Sequence, residues 1–300
     1  MKTRCWFGIP ALAFLLGCGT PAPEAEGDGP EEAGDLITAL INRDQSFAQG
    51  AASQGLAEAT RAFVAADGLL FRPDPVDAAL WLAEEHEEPS SIGWVPTAAA
   101  LASSGDLGYT TGPFLAEVEG GQEVHGTYLT IWQVGQDGYR VVLDIATDGP
   151  DMGPLPEPAD VTAAFEVVGV APGAETGSAG DSAALESLKE TDRGYAVAQA
   201  TTGTSAALVA YAANTVRLHR AGSAPIVGSA DEAASAGFAD ERPSTSPADG
   251  RISTSGTLGY VYGSVAVGGQ ADSGNYVRIW RRDPGAAWSL ALELIDVASP

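Results

Sequence analysis

A few side chains in this 300-residue chain could move protons or steady developing charge. His219 lies in the run TVRLHR, and a neutral imidazole can accept a proton at pH 7. Tyr195, in an upstream run with helical spacing, carries a phenol that could stabilise an oxyanion. Asp144 in YRVVLDI and Glu293 in WSLALELI occupy corresponding places in two similar strands, where an apolar pocket would raise a carboxyl pKa. Trp81, Trp94 and Arg72 offer flat apolar faces and a cation to a ligand. Each also has a plainer reading. His219, between Arg217 and Arg220, suits the exposed end of a strand, and the carboxylates suit a strand face, hydrogen-bonded or, for Asp144, paired with Arg140. The tryptophans suit a core. His86 follows an acidic helix end and His125 sits in the turn EVHG, both fitting solvent. Three scattered histidines lack ligand spacing, so no metal site is expected and no cofactor is implied. No nucleophile elbow, phosphate-binding loop or dinucleotide fingerprint occurs.

The elements that would position these groups occur twice. Leu36, Ile37, Leu40, Ile41 and Phe47 share a helical face, and GLAEATRAFVAADG continues as a second helix ended by Gly68. A short strand Leu69–Phe71 follows, then a helix of about three turns in VDAALWLAEEH, then strands near 92–103, 107–118, 124–134 and 138–145. The second half keeps the order. Asp192-x-x-Tyr195 answers Asp44-x-x-Phe47, SGTLGYVYG at 255–263 answers SGDLGYTTG at 104–112, and Gly274-x-Tyr276-x-x-Ile279-Trp280 answers Gly126-x-Tyr128-x-x-Ile131-Trp132. Such ordered self-similarity marks one architectural unit used twice. Residues 147–181 read as a linker from their Pro, Gly and acid content, with Ala164–Val168 able to add an edge strand.

Acids outnumber bases 40 to 15, a net charge of −25, and only two lysines occur, Lys2 and Lys189. This field repels phosphate backbones and excludes nucleic acid as a partner. Residues 1–17 carry Lys2 and Arg4 and then an apolar run, Trp6 to Leu16, too short to span a bilayer; they read as a secretory signal. Leu15-Leu16-Gly17-Cys18 resembles the lipobox of bacterial lipoproteins, which implies acylation of Cys18, an anchor to the cell envelope and, in a Gram-negative host, placement at the outer membrane facing the periplasm. Residues 18–34 read as a disordered acidic tether.

Helical hairpin, strand, helix and long antiparallel meander, with the SGxLGY and GxYxxIW motifs, resemble the nuclear transport factor 2-like superfamily, and within it the SnoaL-like and domain-of-unknown-function bacterial branches. The resemblance implies an α+β, cystatin-like fold: two tandem cone-shaped domains, 35–146 and 182–300, each a helical layer wrapped by a curved antiparallel sheet. Glycines 105, 108 and 112 would allow the bending. Members often pair through the convex face of the sheet, which implies an intrachain pseudo-dimer, the alternative being two separate units on a flexible linker. Arg278, flanked by Tyr276 and Trp280, is expected at a partly wet packing surface between the halves.

In the superfamily's ketosteroid isomerase the base precedes a proline after the first strand. That place is Arg72 here and, in the second copy, His219, while the helical tyrosine corresponds to Phe47 and Tyr195. Isomerase chemistry therefore lacks its base in the first copy. The expectation is a lipid-anchored envelope protein that binds a small apolar ligand or another envelope protein. The alternative is an isomerase, cyclase or hydrolase acting on a small apolar substrate.

Overall fold

The computed structural model describes residues 30–158, 164–169, 182–236, 241–267 and 273–297. Cys18, the signal segment and most of the expected tether lie outside the described residues, as do 159–163 and 170–181 of the expected linker.

The first half opens with α1 (Pro30–Gln54) and α2 (Leu56–Phe63). Helix α1 therefore takes in the last residues of the expected tether, from Pro30 on. The two helices break at Gly55, whose φ of 93° favours glycine. Glu88 then receives the N–H groups of Leu56 and Ala57 at 2.8 and 3.1 Å, a carboxylate at a helix N-terminus. After them come β1 (Val64–Phe71), β2 (Pro75–Asp77), α3 (Ala78–Trp81), β3 (Ser91–Trp94), β4 (Ala98–Ala102), β5 (Leu107–Val118), β6 (Gln122–Gly135), β7 (Gly138–Asp148) and β8 (Ala164–Val168). The second half has α4 (Ser182–Thr202), α5 (Thr204–Tyr211), β9 (Ala212–Arg220), β10 (Ile226–Gly228), α6 (Ala230–Ala234), β11 (Ser244–Ile252), β12 (Leu258–Ala266), β13 (Gly274–Arg281) and β14 (Ser289–Val297). Its helices break in the same way at Gly203, with φ 95°.

Both sheets are wound alike. The first runs β2-β1-β7-β6-β5-β4-β8, with β3 on β5, and the second runs β10-β9-β14-β13-β12-β11. In each, the first strand lies parallel to the last of the meander: Leu70 opposite Asp144, and Leu218 opposite Glu293. The expected edge strand β8 lies parallel to β4, so this stretch of the linker is part of the first sheet.

Three elements depart from the sequence expectation. Helix α2 stops at Phe63, because Val64 already pairs with Val141 and the β-branched chain belongs to the strand. Helix α3 is a single turn, capped by the Asp77 carboxylate on Ala79 and Leu80, and the chain then turns away to bring Glu88 to α2. The strand expected at 92–103 is two, interrupted around Pro96, where a ladder donor is missing. Here the chain crosses so close to β5 that a Cβ on Gly112 would run into the Val95 carbonyl oxygen.

One face of each sheet packs on its helices, the first around Leu40, Phe47 and Trp132 and the second around Leu188, Tyr195 and Trp280. The other faces meet, since Leu129, Ile131 and Leu143 share one buried cluster with Val277, Ile279 and Leu292. Across this junction corresponding residues touch one another. Ser104 of the first SGxLG turn donates to Ser255 of the second at 3.0 Å, and Thr147 donates to Asp296 at 2.9 Å. Contact between corresponding residues is the signature of a self-complementary, two-fold interface. Among the described residues no helix is long and apolar enough to cross a membrane.

Candidate functional site

Both sheet-and-helix interiors are filled by the protein's own side chains. In the second half Arg278, with no exposed surface, reaches Glu293 through Nε at 2.7 Å and Asp192 through Nη1 at 3.2 Å. Its Nη2 donates to the Gln199 side-chain oxygen at 2.7 Å. Arg220 Nη2 closes on the other Glu293 oxygen. Tyr276 and Trp280 donate to the Asp192 carboxylate at 2.9 and 3.1 Å. Burial opposes ionisation of Glu293, but Arg220 and Arg278 outweigh it and hold its pKa below the ordinary value. Burial likewise works against the Arg278 cation, and Asp192 and Glu293 more than restore it. The arginine expected at a wet surface between the halves is thus the centre of a buried ionic network. Strand alternation puts it under α4 together with Tyr276 and Trp280.

The first half has the same skeleton without an arginine at its centre. Asp44 accepts from Thr110 at 2.7 Å and from Tyr128 at 2.9 Å, and the Trp132 indole donates to Thr110 at 2.8 Å. Thr130 stands where the second half has Arg278 and donates to Asp144 at 2.9 Å. Among the described residues no cation pairs with Asp44, and burial pushes its pKa up to about 7, against the pull of the two hydroxyl donors.

The remaining candidates are dispersed. Asp144 forms an ion pair with Arg72 at 2.6 Å, not with Arg140, and so matches the Glu293–Arg220 pair. Arg72 therefore corresponds to Arg220, and His219 to Phe71, one residue away from the alignment expected at Pro73. Trp81 stacks on His86 at 4.3 Å, and His86 also bonds the Trp81 carbonyl, so this histidine is not simply solvated. Trp94 packs edge-on against Phe47 at 4.9 Å. Tyr195 packs against Tyr211 and Trp280 and its hydroxyl accepts from Gln199 at 3.1 Å, while burial lifts its pKa well above the ordinary value.

His219 is the exception, and it lies on the opposite face of its sheet from Tyr195. Val216 and Leu218 pack with Tyr195, so alternation turns His219 toward the first half. The expected His219–Tyr195 pair is therefore not formed. Nor is His219 a surface residue: it is 2% exposed and neither ring nitrogen has a hydrogen-bond partner. Burial, reinforced by Arg217 and Arg220, pushes its pKa down to about 3. The ring lines a cavity of about 270 Å³ between the halves. Thr111 and Thr127 form one side, Pro154 and Leu155 a second, and Pro225 and Val227 a third. His125, expected in solvent, lines it too, 3.5 Å from Asp151.

The two-fold counterpart of this cavity is closed. There Phe71 stands in place of His219 and Tyr262 in place of Thr111, and the two rings meet edge to face at 6.0 Å. Asn275, in place of Thr127, donates to the Pro73 carbonyl at 3.3 Å. Sequence reasoning missed Arg217, the cavity and the Asp192–Gln199–Arg278 network. The shared Leu-x-Arg of Leu70-Phe71-Arg72 and Leu218-His219-Arg220 was the signal for the true register. Among the described residues no group of three His, Cys, Asp or Glu could hold a metal ion.

No protein-family model matches the sequence, and no curated protein matches it significantly. Solved structures similar to part of the chain include a nuclear transport factor 2-like superfamily protein from Salmonella enterica serovar Typhimurium LT2, 12% identical with a TM-score of 0.34 over 40% of this chain and 96% of that one. A nuclear transport factor 2-like protein of unknown function from Shewanella oneidensis MR-1 is 10% identical, with a TM-score of 0.29 over 39% of this chain and 98% of that one. A SnoaL-like protein from Jannaschia sp. CCS1 is 16% identical, with a TM-score of 0.29 over 41% and 90%.

Proposed function

We propose that this protein is a cell-envelope lipoprotein, anchored through acylated Cys18, that binds a small molecule between two cone-shaped nuclear transport factor 2-like domains packed as an intrachain pseudo-dimer. The observation that carries the binding role is the contrast between the packed interiors and a cavity at the junction of the halves that holds an imidazole with two unpartnered nitrogens. A buried polar group without a partner costs roughly 1–3 kcal/mol, which a ligand that completes its hydrogen bonds would recover. Binding is favoured over catalysis because a base with a pKa of about 3 is poorly matched to proton abstraction at neutral pH. Tyr195, the other member of the expected catalytic pair, lies across the sheet.

The test is native mass spectrometry of the chain purified from its own host, beside a variant in which Thr111→Tyr and His219→Phe give the cavity the two residues of its closed counterpart. The wild type should retain a small molecule that the variant lacks. Retention of the same mass by both, or by neither, would overturn the reading.

A further inference from the structure

The chemistry of the ligand follows from the cation beside His219, an inference that rests on the junction cavity being a binding site. Arg217 lies on the same side of β9, two residues away, and lines the same cavity. It is partly buried, and among the described residues it has no ion pair and no hydrogen-bond acceptor. Several other arginines are paired with acids: Arg72 with Asp144, Arg220 with Glu293, Arg251 with Asp67 and Arg281 with Glu166. Glu123 and Asp151, beside the lining residue His125, are 63% and 77% exposed at their side chains.

We propose that the junction cavity is a site for a small monocarboxylate with an apolar tail, its carboxylate held by the Arg217 guanidinium and by the protonated ring nitrogen of His219. A guanidinium presents paired N–H groups that match the two oxygens of a carboxylate. A neutral imidazole adds one N–H donor and no second positive charge, so the site offers one formal charge and is matched to a monoanion. A phosphate dianion would need further donors and would oppose the net charge of −25. The walls formed by Met152, Pro154, Leu155 and Val227 offer the tail apolar contact. At about 30 Å³ per water-sized volume, the cavity's 270 Å³ holds roughly nine such volumes, the size of a single aromatic ring bearing a carboxylate.

Benzoate and its neutral analogue benzyl alcohol are the probes, titrated calorimetrically into the full mature chain. Benzyl alcohol, which lacks the charge and the second acceptor oxygen, should bind at least tenfold more weakly than benzoate. Arg217→Met should lower benzoate affinity at least tenfold and benzyl alcohol affinity by clearly less, and Arg217→Lys should restore part of the benzoate loss. Benzoate should also shift the His219 ring nitrogens in a ¹⁵N spectrum, a readout that mere folding does not move. Thermal unfolding checks that each variant folds. Equal binding of the two probes, or a benzoate affinity that ignores Arg217→Met, overturns the carboxylate assignment but leaves the cavity a binding site, provided that the Thr111→Tyr, His219→Phe variant still abolishes binding. If that closed variant binds both probes as well as the wild type, or if neither probe binds the wild type, the carboxylate inference fails. In the first of these cases the cavity reading fails with it; in the second, native mass spectrometry decides the cavity reading separately.

Discussion

Replacing Asp44 with asparagine isolates the electrostatic difference between the two interiors. In the native chain Thr110 donates to Asp44 while its oxygen receives the Trp132 indole N–H. Tyr128 donates to the Asp44 carboxylate, and when the acid is neutral its O–H can donate to the Tyr128 oxygen instead. An amide reproduces this pattern, with Oδ1 accepting from Thr110 and Nδ2 donating to Tyr128, and it cannot ionise. Burial raises the folded pKa from 3.8 to about 7. Between those values the folded state holds a proton that the unfolded state has released, so wild-type stability falls as pH rises, by about 1.4 kcal/mol per unit. The gap of about three units gives a loss on the order of 4 kcal/mol, complete once pH passes the folded pKa. That is a large share of the roughly 5–15 kcal/mol typical of a folded domain. Urea unfolding of wild type and Asp44→Asn at matched pH values from 4 to 8 measures it, because groups common to both cancel in the difference. The variant should gain steadily on the wild type up to about pH 7 and then level off. A difference that stays flat across this range, or that shrinks as pH rises, refutes the assignment of Asp44 as a buried neutral acid.

Four further outcomes are expected. Arg278→Met strips a cation from Asp192 and Glu293 at once and should cost roughly 3–5 kcal/mol in denaturant unfolding, the range for breaking a buried pair. Glu293, with its pKa held low, contributes stability above the ordinary carboxylate range that is lost as pH falls through the folded pKa; Glu293→Gln should flatten the acid limb of the stability curve. Gly112→Ala places a methyl group against the Val95 carbonyl and should destabilise by about 1–3 kcal/mol, visible as a lower thermal midpoint. Cys18→Ser should move the protein from the membrane to the soluble fraction of its host, as judged by fractionation and loss of radiolabelled acyl chains.

Repetition made much of the architecture legible before any coordinates. The SGxLGY and GxYxxIW motifs, together with Asp44-x-x-Phe47 and Asp192-x-x-Tyr195, placed the helices and meander of both halves in the right order. Helix lengths were harder to read, because the ends of α2 and α3 are decided by distant partners, Val141 for Val64 and the α2 N-terminus for Glu88. The position of His219 was misjudged for a related reason. A strand beside two arginines looks wet in sequence, and only the second sheet's meeting with the first covers it. Arg278 was placed on the wrong side of its strand's environment because its neutralising acids, Asp192 and Glu293, lie 86 and 15 residues away. A buried charge is invisible when its counter-charges are read separately.

The closed counterpart of the junction cavity bears on what duplication within one chain permits. Two identical subunits related by a dyad must carry every substitution twice, so opening a hole on one side opens it on the other. Here Phe71 and Tyr262 seal one side while His219 and Thr111 leave the other open. Joining the copies covalently has released them from that obligation: the opening at this position can be shaped while its mirror position goes on serving as packing.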